Sequence, residues 1–144
     1  MSADSGLGRG SALGGLIDLP AVIAGAGLGL AVAVPTIVGS SLIGIDSTSN
    51  AVFVAFLVYL AGLTLGGRLA ARRCPDAPLS NGAMAAIVAY LTIAVIVSIL
   101  RLATSRALDP ASLILNFFLA ASAGILGGLI VTWRRPGADQ TDRR

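Results

Sequence analysis

Few residues in this sequence have side chains that could bind or convert a small molecule. Tyr59, Tyr90 and Asn116 are the most prominent, because each lies within a long apolar segment where other hydrogen-bonding groups are scarce. Their hydroxyl and amide groups could line a polar path for a small solute. The alternative is that they form hydrogen bonds between packed helices, each worth about 0.6 kcal/mol in a membrane. Such bonds are also expected of the other polar residues in these segments, Thr64, Thr92, Ser98 and Ser122.

Catalysis and metal binding have little support in the sequence. The chain contains no His, no Glu and no Lys, and Cys74 is its only cysteine. A histidine-centred triad, a zinc site of several thiolates and a paired-cysteine redox motif therefore cannot be built from its residues. Asp46 and Asp109 lie in short polar connections and are interpreted as helix caps, since two aspartates without further ligands make a poor metal site. We expect no enzymatic activity, no metal and no cofactor.

The overall composition is typical of a membrane protein. Of the 144 residues, 56% are hydrophobic and only 12% are charged, compared with about 25% charged residues in soluble domains. The mean hydropathy is +0.89. This balance argues strongly against a water-soluble globular domain.

Four apolar segments have the length of about 20 residues that an α-helix needs to cross a bilayer. The predicted spans are residues 19–45, 51–71, 82–102 and 110–133, flanked by polar tails at 1–18 and 134–144. The fold class is therefore predicted to be all-α. The short connections favour two tandem antiparallel hairpins that form a four-helix bundle. Pro35 lies inside the first span, where it predicts a kink.

The arginines predict how the chain is oriented in the membrane. With four spans, the two termini and the middle connection share one side, which holds eight arginines, whereas the opposite side holds only Arg101 and Arg106. The positive-inside rule therefore places both termini in the cytoplasm. No aromatic-rich basic surface accompanies the arginines, so nucleic-acid binding is not expected. The residues expected to anchor the chain at the membrane interface are Arg68, Arg72, Arg73, Trp133, Arg134 and Arg135.

Glycines recur at four-residue spacing in three of the predicted spans. Such pairs lie on one face of a helix and allow another helix to approach closely. They predict helix packing through Gly25, Gly29, Gly62, Gly66, Gly124 and Gly128. Packing within the four-helix bundle is one use of these faces. The other use is contact with a second copy of the chain or with a partner membrane protein. The presence of three such faces favours an oligomer.

Two segments of the sequence resemble each other. Residues 61–73 and 123–135 both begin with Ala-Gly, contain a Gly-Gly pair and end in Arg-Arg, which is typical either of a duplicated hairpin or of two helix ends under the same constraints. Together with the Asn81-Gly82 start of the third span, they resemble an uncharacterised family of small four-span bacterial inner-membrane proteins over about residues 53–133. The resemblance implies four helices in a bacterial inner membrane and supplies no activity or binding residues.

Two functions fit these patterns. The sequence favours a structural or accessory protein in the lipid bilayer, which packs through its glycine-rich faces against another copy or a partner subunit. The alternative is a small channel or carrier for a small solute, formed by an oligomer. The two differ in where the polar side chains lie, because a carrier needs them around a wet cavity and an accessory protein needs them between helices.

Overall fold

The computed structural model describes residues 17–42, 49–103, 105 and 109–133. This part of the chain contains α-helices and no β-strand, which confirms the predicted all-α class. The helices are α1 (Leu19–Leu42), α2 (Asn50–Arg73), α3 (Pro78–Ala103) and α4 (Pro110–Trp133). All four are long and apolar enough to cross a membrane, as expected of a multi-pass membrane protein.

Three of these helices begin at polar residues that satisfy free backbone N–H groups. Asp18, Ser49 and Asp109 each precede a helix, and each side chain accepts a hydrogen bond from a backbone N–H in the first turn. Capping of this kind is worth about 1 kcal/mol. The predicted cap Asp46 lies outside the described residues.

The start of α3 differs from the predicted span, which began at residue 82. The helix begins at Pro78, because proline suits the first helical position, where the N–H it lacks would have no partner. Ser80 and Asn81 have the residue types of a helix cap but lie inside the first turn of this helix. Asn81 is fully buried, and its Oδ1 accepts a hydrogen bond of 2.8 Å from the backbone N–H of Asp18. Asn81 therefore ties the start of α1 to the start of α3.

The other helix bounds lie close to the predicted spans. α2 begins one residue earlier and ends two residues later than predicted, whereas α4 has the predicted bounds. α1 continues as a single helix through Pro35, and the hydroxyl of Thr36 donates to the carbonyl of Val32 at 2.7 Å. The predicted end of the first span at residue 45 and most of the two predicted tails lie outside the described residues.

α2 and α3 form the centre of the bundle. Each of them contacts every other helix, whereas α1 and α4 make no contact with each other within the described residues. The buried core consists mainly of small side chains around Leu63 and Tyr90, with Ala26, Ala86, Ala89, Ala120 and Ala123. Small residues allow helix backbones to approach closely in a membrane.

The two ends of the bundle are built differently. At the end where α2 turns into α3, glycine and alanine backbones pack against one another; we call this end the glycine half, and its members include Gly25, Gly66, Gly67, Gly82, Gly124, Gly127 and Gly128. At the opposite end, where α2 begins and α3 ends, larger side chains surround a cavity. We call this end the cavity half.

Candidate functional site

A cavity of about 310 Å³ opens at the end of the bundle where α2 begins and α3 ends. Its walls come from the first half of α2 and the second half of α3, with α1 and α4 on the sides. This volume corresponds to about ten water molecules and lies at the low end of the range for small-molecule sites. The lining residues are Thr36, Ile37, Val52, Ala55, Phe56, Tyr59, Tyr90, Ile93, Ala94, Val97, Ser98, Arg101, Asp109, Ser112, Leu113 and Asn116.

The fold brings together the three side chains that the sequence analysis selected as a polar path. Tyr59 of α2, Tyr90 of α3 and Asn116 of α4 all border this cavity. The hydroxyl of Tyr90 donates to the carbonyl of Leu113 at 2.6 Å, and Asn116 Nδ2 donates to the carbonyl of Ser112 at 2.8 Å. Within the described residues, the Tyr59 hydroxyl and Asn116 Oδ1 have no hydrogen-bond partner, so both are available to a ligand.

Aromatic contacts hold the two tyrosine rings. Tyr59 stacks on Phe56 with 6.5 Å between the ring centroids, and Tyr90 meets Phe117 edge to face at 6.2 Å. Offset and edge-to-face pairs are the favoured arrangements of aromatic side chains. The inner walls of the cavity therefore combine aromatic rings with the polar groups of Tyr59, Tyr90 and Asn116.

The mouth of the cavity carries two charges of opposite sign. Arg101 lies in the last turn of α3 and Asp109 directly precedes α4, and both side chains are exposed. One carboxylate oxygen of Asp109 accepts a hydrogen bond from the backbone N–H of Ala111 at 3.1 Å. The second carboxylate oxygen of Asp109 has no hydrogen-bond partner among the described residues. From the sequence, Asp109 was predicted only to cap a helix and Arg101 was not predicted to belong to a site, because no local pattern shows that these helix ends border one cavity.

The cavity is closed at its inner end. Below the tyrosines, Leu63, Ala89 and Ala120 are fully buried and belong to the core that joins the helices. Ala86 is only 1% exposed in the next layer. The cavity therefore does not continue through the glycine half as an open pore.

In the glycine half, α1 and α2 touch through their backbones. A Cβ atom built on Gly66 would overlap the carbonyl oxygen of Gly25, and one built on Gly25 would lie 2.5 Å from the carbonyl oxygen of Gly66. Gly62 is also crowded, with a side-chain atom of α1 at 2.8 Å from such a Cβ. Gly29 has more space, since its nearest neighbour, the Cβ of Ala89, is 3.4 Å away. The predicted glycines of these helices thus lie where α1 and α2 meet.

α3 and α4 approach each other in the same way. A Cβ on Gly124 would lie 2.5 Å from the carbonyl oxygen of Gly82, and one on Gly128 would lie 2.7 Å from that of Pro78. Both distances are shorter than real Cβ atoms show. Every predicted packing glycine therefore faces another helix of the same chain.

Three further glycines, which were not predicted as packing residues, lie at the closest contacts. Gly67, Gly82 and Gly127 would each place a Cβ within about 2.7 Å of a backbone atom of another helix. Gly67 and Gly127 each belong to a Gly-Gly pair, and adjacent residues point to different sides of a helix. The Gly-Gly pairs could have indicated these contacts from the sequence. Gly66 faces α1 while Gly67 faces α4, so α2 can pack closely against two helices at the same level.

The expectation of hydrogen bonds between helices is wrong for most polar residues within the spans. The hydroxyl groups of Thr64, Thr92 and Ser122 donate to the carbonyl four residues earlier in their own helix, at 2.8 to 2.9 Å. A hydroxyl on a helix reaches this carbonyl without any neighbouring helix. Asn116 bonds to its own helix in the same way. Ser98 borders the cavity.

The four predicted interface anchors that the structure describes lie in or next to the glycine half. Arg72 and Arg73 are exposed in the last turn of α2, and Arg68 is half-buried one turn earlier. Trp133 ends α4 and is 76% exposed. The remaining two anchors, Arg134 and Arg135, lie outside the described residues.

No group of three or more His, Cys, Asp or Glu in the described part of the chain is placed to hold a metal ion. Cys74 is half-buried in the turn between α2 and α3. Comparison with protein-family models, with curated proteins and with solved structures finds no match. The resemblance to small four-span bacterial proteins stays a prediction.

Proposed function

We propose that this chain is a membrane carrier that binds a small solute in the cavity between α2 and α3. The observation that carries the proposal is that Tyr59, Tyr90 and Asn116, from three helices, border one cavity. The Tyr59 hydroxyl, which has no partner among the described residues, can donate a hydrogen bond, and Asn116 Oδ1 can accept one. A site open at one end and closed at the other fits a carrier better than a continuous channel, because a carrier exposes its site to one side at a time.

The proposal needs only one chain to form the site. The sequence suggested that an oligomer would surround the solute path, but here four helices of a single chain supply the walls. Association with a second copy is compatible with this site and is not required by it. The proposal includes no catalytic activity.

A structural or accessory role has less support than the sequence indicated. The main support for such a role was the set of glycine faces, but those glycines contact helices of the same chain. Gly27 and Gly39 are different, because a Cβ on either would meet nothing within 4 Å. An accessory subunit would therefore have to bind its partner through other surfaces of the bundle.

We further propose that the chain lies in a bacterial inner membrane as two antiparallel hairpins with cytoplasmic termini. The order of contacts supports this arrangement: Gly25 lies beside Gly66, while Gly29, further along α1, lies beside Gly62, earlier in α2. Contacts between α3 and α4 follow the same reversed order. The excess of arginines in the predicted cytoplasmic segments supports the orientation.

The binding function is tested by native mass spectrometry of the full chain, purified in mild detergent from its native membrane. We expect a bound small molecule in the wild type, and its loss in Ala94→Trp, which fills the cavity. Ala61→Trp is the matched control, because Ala61 is exposed on α2 outside the cavity. A stoichiometric partner protein with no bound small molecule would support the accessory role and overturn the carrier.

The orientation is tested with the single native cysteine, Cys74, which lies in the predicted cytoplasmic turn. A membrane-impermeant maleimide should label it in inside-out vesicles and not in intact cells. The variant Cys74→Ser combined with Ser105→Cys should show the opposite pattern, since Ser105 is exposed in the connection between α3 and α4. Labelling of Cys74 from outside intact cells would reverse the proposed orientation.

A further inference from the structure

We infer that the solute is a short, uncharged polyol, a molecule in which each carbon carries a hydroxyl group. This inference rests on the proposed function, because it names the ligand class for the same cavity. It is carried by the polar side chains of the cavity wall and by the hydrogen bonds that these side chains already make.

Uncharged polar side chains border the cavity from all four helices. Most of them carry a hydroxyl group and one is an amide: Thr36, Tyr59, Tyr90, Ser98, Ser112 and Asn116. Phe56, Ile93 and Val97 border the same space. The cavity therefore presents hydroxyl groups and carbon surface side by side, as a polyol itself does.

Most of these polar side chains offer acceptor atoms to a ligand. The hydroxyl groups of Thr36, Tyr90 and Ser112 each donate their single proton to a backbone carbonyl, at 2.6 to 2.9 Å. A hydroxyl oxygen that has donated its proton can still accept hydrogen bonds. Asn116 Nδ2 also donates to a backbone carbonyl, and Asn116 Oδ1 has no partner among the described residues. A solute therefore has to donate hydrogen bonds to the oxygens of these four side chains.

Two other hydroxyl groups of the wall can donate to a ligand. Those of Tyr59 and Ser98 border the cavity and have no hydrogen-bond partner among the described residues. A solute that satisfies them has to accept hydrogen bonds as well. An ammonium group only donates and a carboxylate only accepts, whereas a hydroxyl group does both. Several hydroxyl groups on one short chain therefore match this wall better than either charged group.

The charges at the mouth favour an uncharged solute. Arg101 and Asp109 are the only charged residues among the described residues that line the cavity, and their charges have opposite signs. Arg101 already has an interaction of its own, and Asp109 caps α4 through one oxygen. Tyr90 lies eleven residues before Arg101, or about 16 Å along the helix. A net charge on the solute at that depth would lack a counter-ion, which is costly away from water.

The volume of the cavity limits the length of the solute. About 310 Å³ corresponds to about ten waters and holds roughly ten non-hydrogen atoms. A polyol of about three to five carbons has about six to ten such atoms. Glycerol, erythritol and xylitol are therefore the candidates.

The inference is tested by calorimetric titration of the purified full chain, in a detergent without hydroxyl groups, with these three polyols. The matched analogues of erythritol are butane-1,4-diol, which lacks the two inner hydroxyl groups, erythronate, which has a carboxylate at one end, and 4-aminobutane-1,2,3-triol, which has an ammonium group at one end. We expect the tightest polyol to bind at least about fivefold more tightly than the diol, because the diol loses hydrogen bonds to the wall. It should bind at least about tenfold more tightly than either charged analogue.

Two variants test the donors of the wall. Tyr59→Phe and Ser98→Ala should each weaken binding of the tightest polyol about fivefold, because each removes one donor from the cavity. Ser122→Ala is the matched control for Ser98→Ala. The Ser122 hydroxyl donates to a carbonyl of its own helix outside the cavity, so this variant should leave the affinity unchanged.

The outcomes separate this inference from the proposed function. If the diol or a charged analogue binds as tightly as the tightest polyol, or if Ser122→Ala weakens binding as much as Ser98→Ala, the polyol inference is wrong. If no polyol binds but Ala94→Trp removes a co-purified small molecule, the inference is wrong and the carrier stands. If no compound binds and Ala94→Trp changes no co-purified ligand, the inference and the carrier both fail.

Discussion

The glycine half and the cavity half are built from the same four helices and have opposite properties. In the glycine half, backbone atoms of neighbouring helices are in contact, and added Cβ atoms would overlap them. In the cavity half, the same helices are far enough apart to leave about 310 Å³. The comparison shows that residue size along each helix sets the spacing between helices, since close approach requires small side chains at the contact.

α2 shows this change along a single helix. Its first half carries Phe56 and Tyr59, which border the cavity, whereas its second half carries Gly62, Gly66 and Gly67, which contact α1 and α4. The large residues hold the helices apart and the glycines let them meet. The tightly packed end joins the helices, and the cavity lies at the other end.

The largest expected effect comes from placing leucine in each half. Ala86 is 1% exposed and lies against Gly124, so Ala86→Leu should lower the free energy of unfolding by about 3 kcal/mol through overpacking. Ala94 lines the cavity, where the added carbons have space, so Ala94→Leu should change it by less than about 1 kcal/mol. The unfolding free energies of both variants are measured by circular dichroism during titration with sodium dodecyl sulfate. Equal losses would remove the proposed difference between the halves.

A smaller effect is expected for a single methyl group in the glycine half. Gly66→Ala places a Cβ against the backbone of α1 and should cost about 2 kcal/mol. Gly27→Ala, whose Cβ meets nothing within 4 Å, should be neutral or stabilise the protein by up to about 1 kcal/mol. The same unfolding titration measures both variants. A loss in Gly27→Ala as large as in Gly66→Ala would contradict the role of the backbone contact, because alanine favours a helix more than glycine does.

The hydrogen bond between Asp18 and Asn81, which connects α1 to α3, should contribute still less to the free energy of unfolding. Asn81→Ala removes the acceptor for the Asp18 N–H and should cost about 1 to 2 kcal/mol, because a partly buried donor loses its partner. Ser80→Ala is the control, since Ser80 is exposed and should change the unfolding free energy by less than about 0.5 kcal/mol. Wild-type stability in Asn81→Ala would mean that water replaces the amide, and that this end of the bundle is more open than described.

The smallest effect is expected for the tyrosine hydroxyls of the cavity half. Tyr90→Phe removes the bond to the Leu113 carbonyl and should cost about 0.6 kcal/mol, the average for such bonds in membrane proteins. Tyr59→Phe removes a hydroxyl that has no partner among the described residues and should leave the stability unchanged. If binding involves this hydroxyl, Tyr59→Phe should weaken it, which calorimetry of the bound solute measures. If Tyr59→Phe lowered the free energy of unfolding and Tyr90→Phe did not, the Tyr59 hydroxyl would be the one that stabilises the fold and the Tyr90 hydroxyl the one available to a solute.

Much of the architecture could be predicted from local patterns. Length and apolarity predict the four helices, and Asp109, which was interpreted as a helix cap, precedes the start of α4. The start of α3 was missed, because Asn81 has the residue type of a helix cap and its actual partner, Asp18, is 63 residues away. Polar residues within the spans were assigned to contacts between helices, since a sequence does not show that a hydroxyl is satisfied by its own helix.

The sequence by itself determined the four helices, most of their ends and six of the glycines at which backbones approach, because these depend on side-chain size, hydropathy and hydrogen bonding within one or two turns. Only the tertiary structure decided which glycines meet and that a cavity remains at the opposite end. It also decided that Arg101 and Asp109 share the mouth of this cavity with Tyr59 and Asn116 on its walls. These relations depend on how four helices pack together, and no local pattern specifies the distance between residues on different helices.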